Sequence, residues 1–187
     1  MSHYHLLSES GIELRRAEPQ DANFIYQWEN DPTVWRVSGT FAPYSLFQIE
    51  QSLIGDNDIT SDKQLRLMVF AAGISEYSSD PPCGCIDIFN YDPINQRAEL
   101  GIYIEKSARN HGIARKALFM VIRYLFDTLL LHQIHCSIAK NNTYSIKLFT
   151  KAGFKPCGTH RDWIKTPDGY IDVIDYQFIN PQYRLWQ

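Results

Sequence analysis

The sequence predicts an α/β (α+β) fold: a central mixed, mostly antiparallel sheet of about seven strands flanked by about four helices. Three observations predict it. Apolar runs of strand length recur at 12–15, 64–72, 83–89, 99–104, 134–139, 155–164 and 170–179. Between several of them lie segments whose apolar residues recur at helical spacing. The last two runs are joined by Pro167-Asp168-Gly169, a turn sequence that makes them a hairpin.

In chain order, Ile12 to Arg15 is a short strand. Pro19 stands where a helix can begin, Phe24, Ile25 and Trp28 follow at helical spacing, and Asn30-Asp31-Pro32 stops the run. A second short helix follows Tyr44-Ser45, with Phe47, Ile49, Leu53 and Ile54 as its apolar positions. Residues 64–72 read as a buried strand and Ser78 to Pro82 as a turn. Cys83 to Phe89 is the next strand, and Asp92-Pro93 with Asn95 connects it to a strand at Glu99–Ile104. The longest helix runs from about Gly112 to Leu130, with Ala114, Leu118, Val121, Ile122, Leu125 and Leu129 on one face. Ile134 to Ala139 is a strand, Thr143 to Lys151 a short helix, and Gly153 its C-terminal cap.

The 187 residues suit one compact domain over 1–187. No apolar run reaches the roughly 18–20 residues of a membrane span, and Met1 to Glu13 lacks the blocks of a signal peptide. A cytoplasmic protein without a membrane partner is the expectation. Cys83, Cys85, Cys136 and Cys157 form no disulfide framework. Cys83-Gly84-Cys85 on a strand points both thiols to one face, but no second pair has ligand spacing, so no metal site is expected. Trp28, Trp35 and Trp163 read as core or pocket walls, and no nucleic-acid partner is expected.

The net charge of -3 hides a polarity. Residues 1–62 hold ten acids against three bases, whereas residues 106–165 hold eleven bases against two acids. Such a division suits one cationic and one polyanionic partner, or a solvated surface.

The most informative stretch is Glu99-Leu-Gly-Ile-Tyr-Ile104, then Arg109-Asn-His-Gly-Ile-Ala114, then the long amphipathic helix. A strand enters a loop, and the loop opens a helix. Gly112 lets backbone approach a ligand closely, and small Ala114 does the same nearby. The free N–H groups of the first turn, with the helix dipole, make an anion site. Arg109 and Arg115 add positive charge, and His111 lies inside the loop. A pyrophosphate fits; a basic loop before a surface helix is the plainer alternative.

Arg109-x-x-Gly112-x-Ala114 resembles the Q/R-x-x-G-x-G/A signature of the GCN5-related N-acetyltransferases (GNAT family). Asn142-x-x-Ser145-Ile146-Lys147-Leu148-Phe149-x-Lys151-x-Gly153-Phe154 resembles that family's N-x-x-[A/S]-I-x-L-Y-x-K-x-G-F segment. Leu14-Arg15, Asp21-Ala22 and Trp28-Glu29-Asn30-Asp31-Pro32 look like the branch of ribosomal-protein N-terminal and spermidine N-acetyltransferases. The likeness runs over about 12–180, with three matches in the family's order. It implies a GNAT-like fold and acetyl-CoA as donor and co-substrate. The pantetheine arm would pair along Ile102, Tyr103 and Ile104. Arg109, Asn110, His111, Gly112, Ile113, Ala114 and Arg115 would hold the pyrophosphate. Asn142 would bond the donor, with Ser145 and Lys151 nearby; Asn142 also suits a helix N-cap.

A lysine-like amine, with a pKa of about 10.4, is nearly all protonated at neutral pH, and deprotonating it costs roughly 4–5 kcal/mol. A base is therefore useful. Glu99, just before the implied thioester, is the candidate; a surface carboxylate at a strand end is the alternative. Tyr103 shares its face and can line the acceptor pocket. Phe149 departs from the family, whose tyrosine there is the usual general acid. The family places acceptor-binding helices in the acidic N-terminal part, so Glu29 and Asp31 are candidate substrate residues. The favoured acceptor is a small cationic amine, a polyamine such as spermidine. Alternatives are an N-terminal (ribosomal-protein) or aminoglycoside acetyltransferase, or a weakly catalytic acetyl-CoA-binding module. A homo-oligomer is compatible with the sequence.

Overall fold

The computed structural model describes residues 7–33, 35, 42–54, 59–72 and 81–182. Its strands are β1 (Leu7–Glu9), β2 (Ile12–Arg16), β3 (Leu65–Ala71), β4 (Gly84–Asp92), β5 (Arg97–Ile104), β6 (Gln133–Ala139), β7 (Lys155–Thr166) and β8 (Gly169–Ile179). Helices α1 (Ala22–Glu29), α2 (Leu46–Ile54), α3 (Ile113–Arg123) and α4 (Thr143–Ala152) flank them. The eight strands form one sheet in the order β1-β2-β3-β4-β5-β6-β8-β7. All neighbours are antiparallel except β5 and β6. The mixed, mostly antiparallel α/β fold expected from the sequence is the one observed.

Two apolar layers hold the sheet. On one face α3 and α4 pack with Leu67, Ile86, Ile88, Leu100, Ile134 and Phe154, all nearly or fully buried. On the other, Ile25 and Trp28 of α1 and Ile49 of α2 cover Met68 and Cys85. Each such aliphatic side chain contributes about 1.5–3 kcal/mol by leaving water. The buried Asp21 is not available to a ligand: Arg15 donates to both its oxygens, at 2.7 and 2.8 Å, and the Glu18 N–H donates at 2.8 Å.

Three differences from expectation have local causes. The eighth strand, β1, is the three-residue Leu-Ser-Glu, too short and polar to show a period. A turn with positive φ at Ser10 and Gly11 folds it onto β2, and Lys116 of α3 donates to the Ser10 carbonyl at 3.2 Å. The long helix is regular only to Arg123; Tyr124–Thr128 widens into a π turn. Leu125 and Phe126 stay buried through that turn, so the apolar pattern runs on unbroken. Cys83 and Cys85 do not share a face: Cys83 precedes β4 and joins the α3 layer, while Cys85 joins the α1 layer. The turn expected at 78–82 lies outside the described residues up to 80.

The feature that positions the site is the junction of β5 and β6. These parallel strands pair at Arg97–Gln133, Ala98–Ile134 and Glu99–His135 only. Beyond that, β5 stays with β4 as far as Ile104, and β6 stays with β8 as far as Ala139. The sheet opens there into a wedge whose two edges carry backbone groups without a strand partner among the described residues.

Candidate active site

Alternation along β5 divides its side chains between the two faces. Leu100, Ile102 and Ile104 pack toward α3. Glu99, Gly101 and Tyr103 point to the α1 side, where the Tyr103 ring lies 5.4 Å from that of Trp28. Thus Ile102 and Ile104 would offer a ligand in the wedge their backbone, not their side chains.

Glu99 sits at the apex of the wedge. A bulge in β4 shifts the register between Phe89 and Asp92 and puts Asn90 at φ 51°. The Asn90 amide then donates to Glu99 Oε2 at 2.9 Å, which fixes the carboxylate. Bulges commonly re-aim a side chain in this way. Tyr103 donates its hydroxyl to Glu105 Oε2 at 3.1 Å. Burial pushes its phenol well above the usual range, and the Glu105 carboxylate adds to this, so Tyr103 stays a donor at neutral pH.

The loop after β5 holds Arg109 by its Nε, which donates to the Ile104 carbonyl at 2.9 Å. Asn110 and Gly112 take positive φ, 68° and 75°. Gly112 is the N-cap of α3, and Lys116 makes the first helical bond back to it. The N–H groups of Ile113, Ala114 and Arg115 have no acceptor among the described residues. No atom lies within 4 Å of where a Cβ on Gly112 would be. Ile113 is buried and anchors the helix start, while His111, Arg109 and Arg115 are exposed. This loop is an open cradle with three directed donors, and the residues present fit a diphosphate.

On α4, Asn142 is the N-cap: its Oδ1 accepts from the Ser145 N–H at 3.2 Å. Its amide nitrogen has no partner among the described residues, so capping and ligand binding can coexist. Lys151 is exposed on the last turn. Phe149 is 3% exposed and meets the Phe154 ring edge-on at 5.0 Å. It is a packing residue here, and Phe149→Tyr is expected to lose about 1–3 kcal/mol of stability through a buried, unpartnered hydroxyl. Thermal melting checks the loss, and turnover is expected to change by under tenfold. A large rise in turnover at unchanged melting temperature would contradict this placement.

The N-terminal acids are partly compensated. Arg66 of β3 donates to Asp87 at 2.6 Å and to Glu29 at 2.8 Å, one cation for two carboxylates. Asp31 accepts from the Thr33 N–H at 2.8 Å and lies 3.3 Å from Lys106. The Thr33 hydrogen bonds hold its carboxyl below the usual range. Sequence reasoning missed Asn90, Arg66 and Asp87. A bulge has no periodic signal, but a lone arginine inside the apolar run 64–72 was a signal, because a charge there needs partners. Among the described residues no three His, Cys, Asp or Glu side chains come together as metal ligands, and no helix is long and apolar enough to cross a membrane.

Residues 12–155 match the profile of the acetyltransferase (GNAT) domain. The chain is 27% identical over 172 residues to the uncharacterized N-acetyltransferase p20 of Bacillus licheniformis, covering 92% of this chain and 94% of that one. It is 25% identical over 177 residues to the spermidine N(1)-acetyltransferase of Escherichia coli K12, covering 95% and 83%. The crystal structure of spermidine N-acetyltransferase from Vibrio cholerae in complex with CoA and spermine superposes with a TM-score of 0.79 at 24% identity, covering 94% and 99%. The chain belongs to the GNAT acetyltransferase family and is an N-acetyltransferase.

Proposed function

We propose that the protein transfers the acetyl group of acetyl-CoA to a primary amine of a small cationic acceptor, with a polyamine such as spermidine favoured. The observation that carries this reading is the wedge: its backbone edges run from Glu99 at the apex to the open cradle at Gly112. A pantetheine arm paired along Ile102 to Ile104 would join the two, with its diphosphate on the N–H groups of Ile113 to Arg115. Asn142, Ser145 and Lys151 stand on the neighbouring helix. The thioester then lies beside Glu99.

The acceptor arrives as an ammonium, and Glu99, oriented by Asn90, takes one proton from it directly or through water. The neutral amine then attacks the thioester carbonyl, the new C–N bond forms, the C–S bond breaks, and the second nitrogen proton passes to water. Releasing a bare thiolate at neutral pH costs only about 2 kcal/mol relative to the thiol, so Phe149 in place of a tyrosine does not prevent departure. Tyr103, Glu29 and Asp31 line the acceptor side. Glu29 with Asp87 leaves one uncompensated negative charge beside Arg66, which suits a cation.

A thiol-release assay against polyamines, aminoglycosides and N-terminal peptides tests this directly, paired with calorimetric binding of acetyl-CoA. Turnover is expected for spermidine-like amines above the peptides. Acetyl-CoA at a hundredfold its Kd is expected to add about 2.7 kcal/mol of stability. Tight binding with no turnover of any amine would favour the weakly catalytic module instead.

A further inference from the structure

On the Glu99 face, α1 and α2 cover β3 to β5, while β6, β8 and β7 leave Ser137, His160 and Trp163 exposed. Ser137 stands two residues past His135, the last β6 residue paired with β5. Its counterpart on β5, two residues past Glu99, is Gly101. Period-two alternation puts all four on one face. Gly101 has no side chain, so β5 itself puts nothing between Glu99 and Ser137; the edge of the Phe89 ring of β4 lies 3.4 Å from where a Gly101 Cβ would be and bounds the spot on the β4 side.

Ser137 is held from behind. Its Oγ donates to Asp175 Oδ1 at 2.8 Å, and His160 Nε2 lies 2.8 Å from Asp175 Oδ2. Gly158 of β7 lies in register with Asp175, where a Cβ would come 3.3 Å from Oδ2. Its missing side chain leaves room for the carboxylate to reach His160. The His160 ring in turn lies 4.6 Å from the Trp163 ring. β7 bulges between Pro156 and Gly158 and again between His160 and Ile164, which sets His160 over this spot.

With its proton directed to Asp175, the Ser137 oxygen presents only lone pairs outward. It can accept from an N–H donor and offers nothing to a carbonyl. An ammonium has donors only, and the carboxylate behind the hydroxyl adds attraction for its charge. We propose that Ser137 is the acceptor-binding residue on the β6 side of the wedge, oriented for an ammonium or amine N–H by Asp175 and His160. Glu99 and Ser137 then grip the reacting nitrogen from opposite edges of the gap. Asp175 is a positioning residue that acts through Ser137. This inference rests on the acetyl-transfer reading above.

The test is steady-state kinetics on the full chain with spermidine, or the panel amine that is turned over, varying amine and acetyl-CoA separately. Ser137→Ala is expected to raise the KM for the amine about tenfold, the scale of a hydrogen bond to a charged group. The KM for acetyl-CoA and the melting temperature should stay unchanged, since Ser137 is exposed. Ser137→Thr keeps the hydroxyl and should restore the amine KM to within threefold. Asp175→Asn should raise the amine KM at least as much as Ser137→Ala, yet add less than threefold in a Ser137→Ala background. An active wild type whose amine KM moves less than twofold in Ser137→Ala overturns this proposal alone. An equal rise in both KM values, or fully multiplicative effects of the two substitutions, also overturns it. A wild type that acetylates no amine overturns the acetyl-transfer reading and this inference with it.

Discussion

Glu99→Gln is expected to lower turnover by about a hundredfold or more while leaving acetyl-CoA affinity almost unchanged. Glutamine keeps the shape of the side chain, and its carbonyl oxygen can still accept from Asn90, so the apex of the wedge should stay folded. What disappears is the proton acceptor. The loss should shrink as pH rises, because more of the amine is then already neutral and needs no base. Rate measurements at several pH values, with saturating acetyl-CoA, check both points. A pH-independent loss under threefold would remove Glu99 from the mechanism and return it to a carboxylate held by Asn90 for structural reasons.

Gly112→Asp is expected to abolish the rise in melting temperature that acetyl-CoA produces. The substitution is suited to separating binding from folding. No atom lies within 4 Å of the added Cβ. The left-handed backbone at Gly112 strains any side chain, aspartate less than most, and the helix dipole offsets part of that cost. The apo protein should therefore stay folded and melt somewhat below its normal temperature. A diphosphate in the cradle, by contrast, meets a like charge: at about 4 Å and the effective dielectric of a protein surface, each charge pair costs roughly 4 kcal/mol, near a thousandfold in affinity. Calorimetric titration reads this out. Near-normal affinity would show that the phosphate cradle lies elsewhere.

The parts of the molecule that were legible in the sequence are those written within one contiguous stretch. The strand at Glu99–Ile104, the Gly112 loop and the start of α3 could be placed because apolar period, glycine and helix onset all fall within about twenty residues. Asn142 as N-cap and Gly153 as C-cap were readable for the same reason. What escaped depends on register between distant segments. Asn90 meets Glu99 only because β4 bulges, and a bulge adds a residue without altering the alternation on either side. Glu29 and Asp87 meet through Arg66, which lies outside the acidic block whose charge it offsets. β1 is held by its turn and by α3, not by any pattern of its own. The Tyr124–Thr128 turn kept the apolar face of a helix while losing its geometry.

The three paired rungs between β5 and β6 make that junction a seam between two half-sheets, one built on β1 to β5 and the other on β6 to β8. Among the described residues the β5–β6 ladder ties the halves together at Arg97 to Glu99 and their partners, with Gln96 accepting from His132 and Gln133 just before it; elsewhere the halves lean on the helices of the α3 face. A strand-like ligand lying in the open part of the seam would bond to both edges at once, and so act as the missing rungs. Donor binding and sheet completion would then be a single event. The amides from Gly101 to Ile104 that face the seam would pass from solvent exchange to protection, and the acceptor would meet a continuous floor only after the donor is in place.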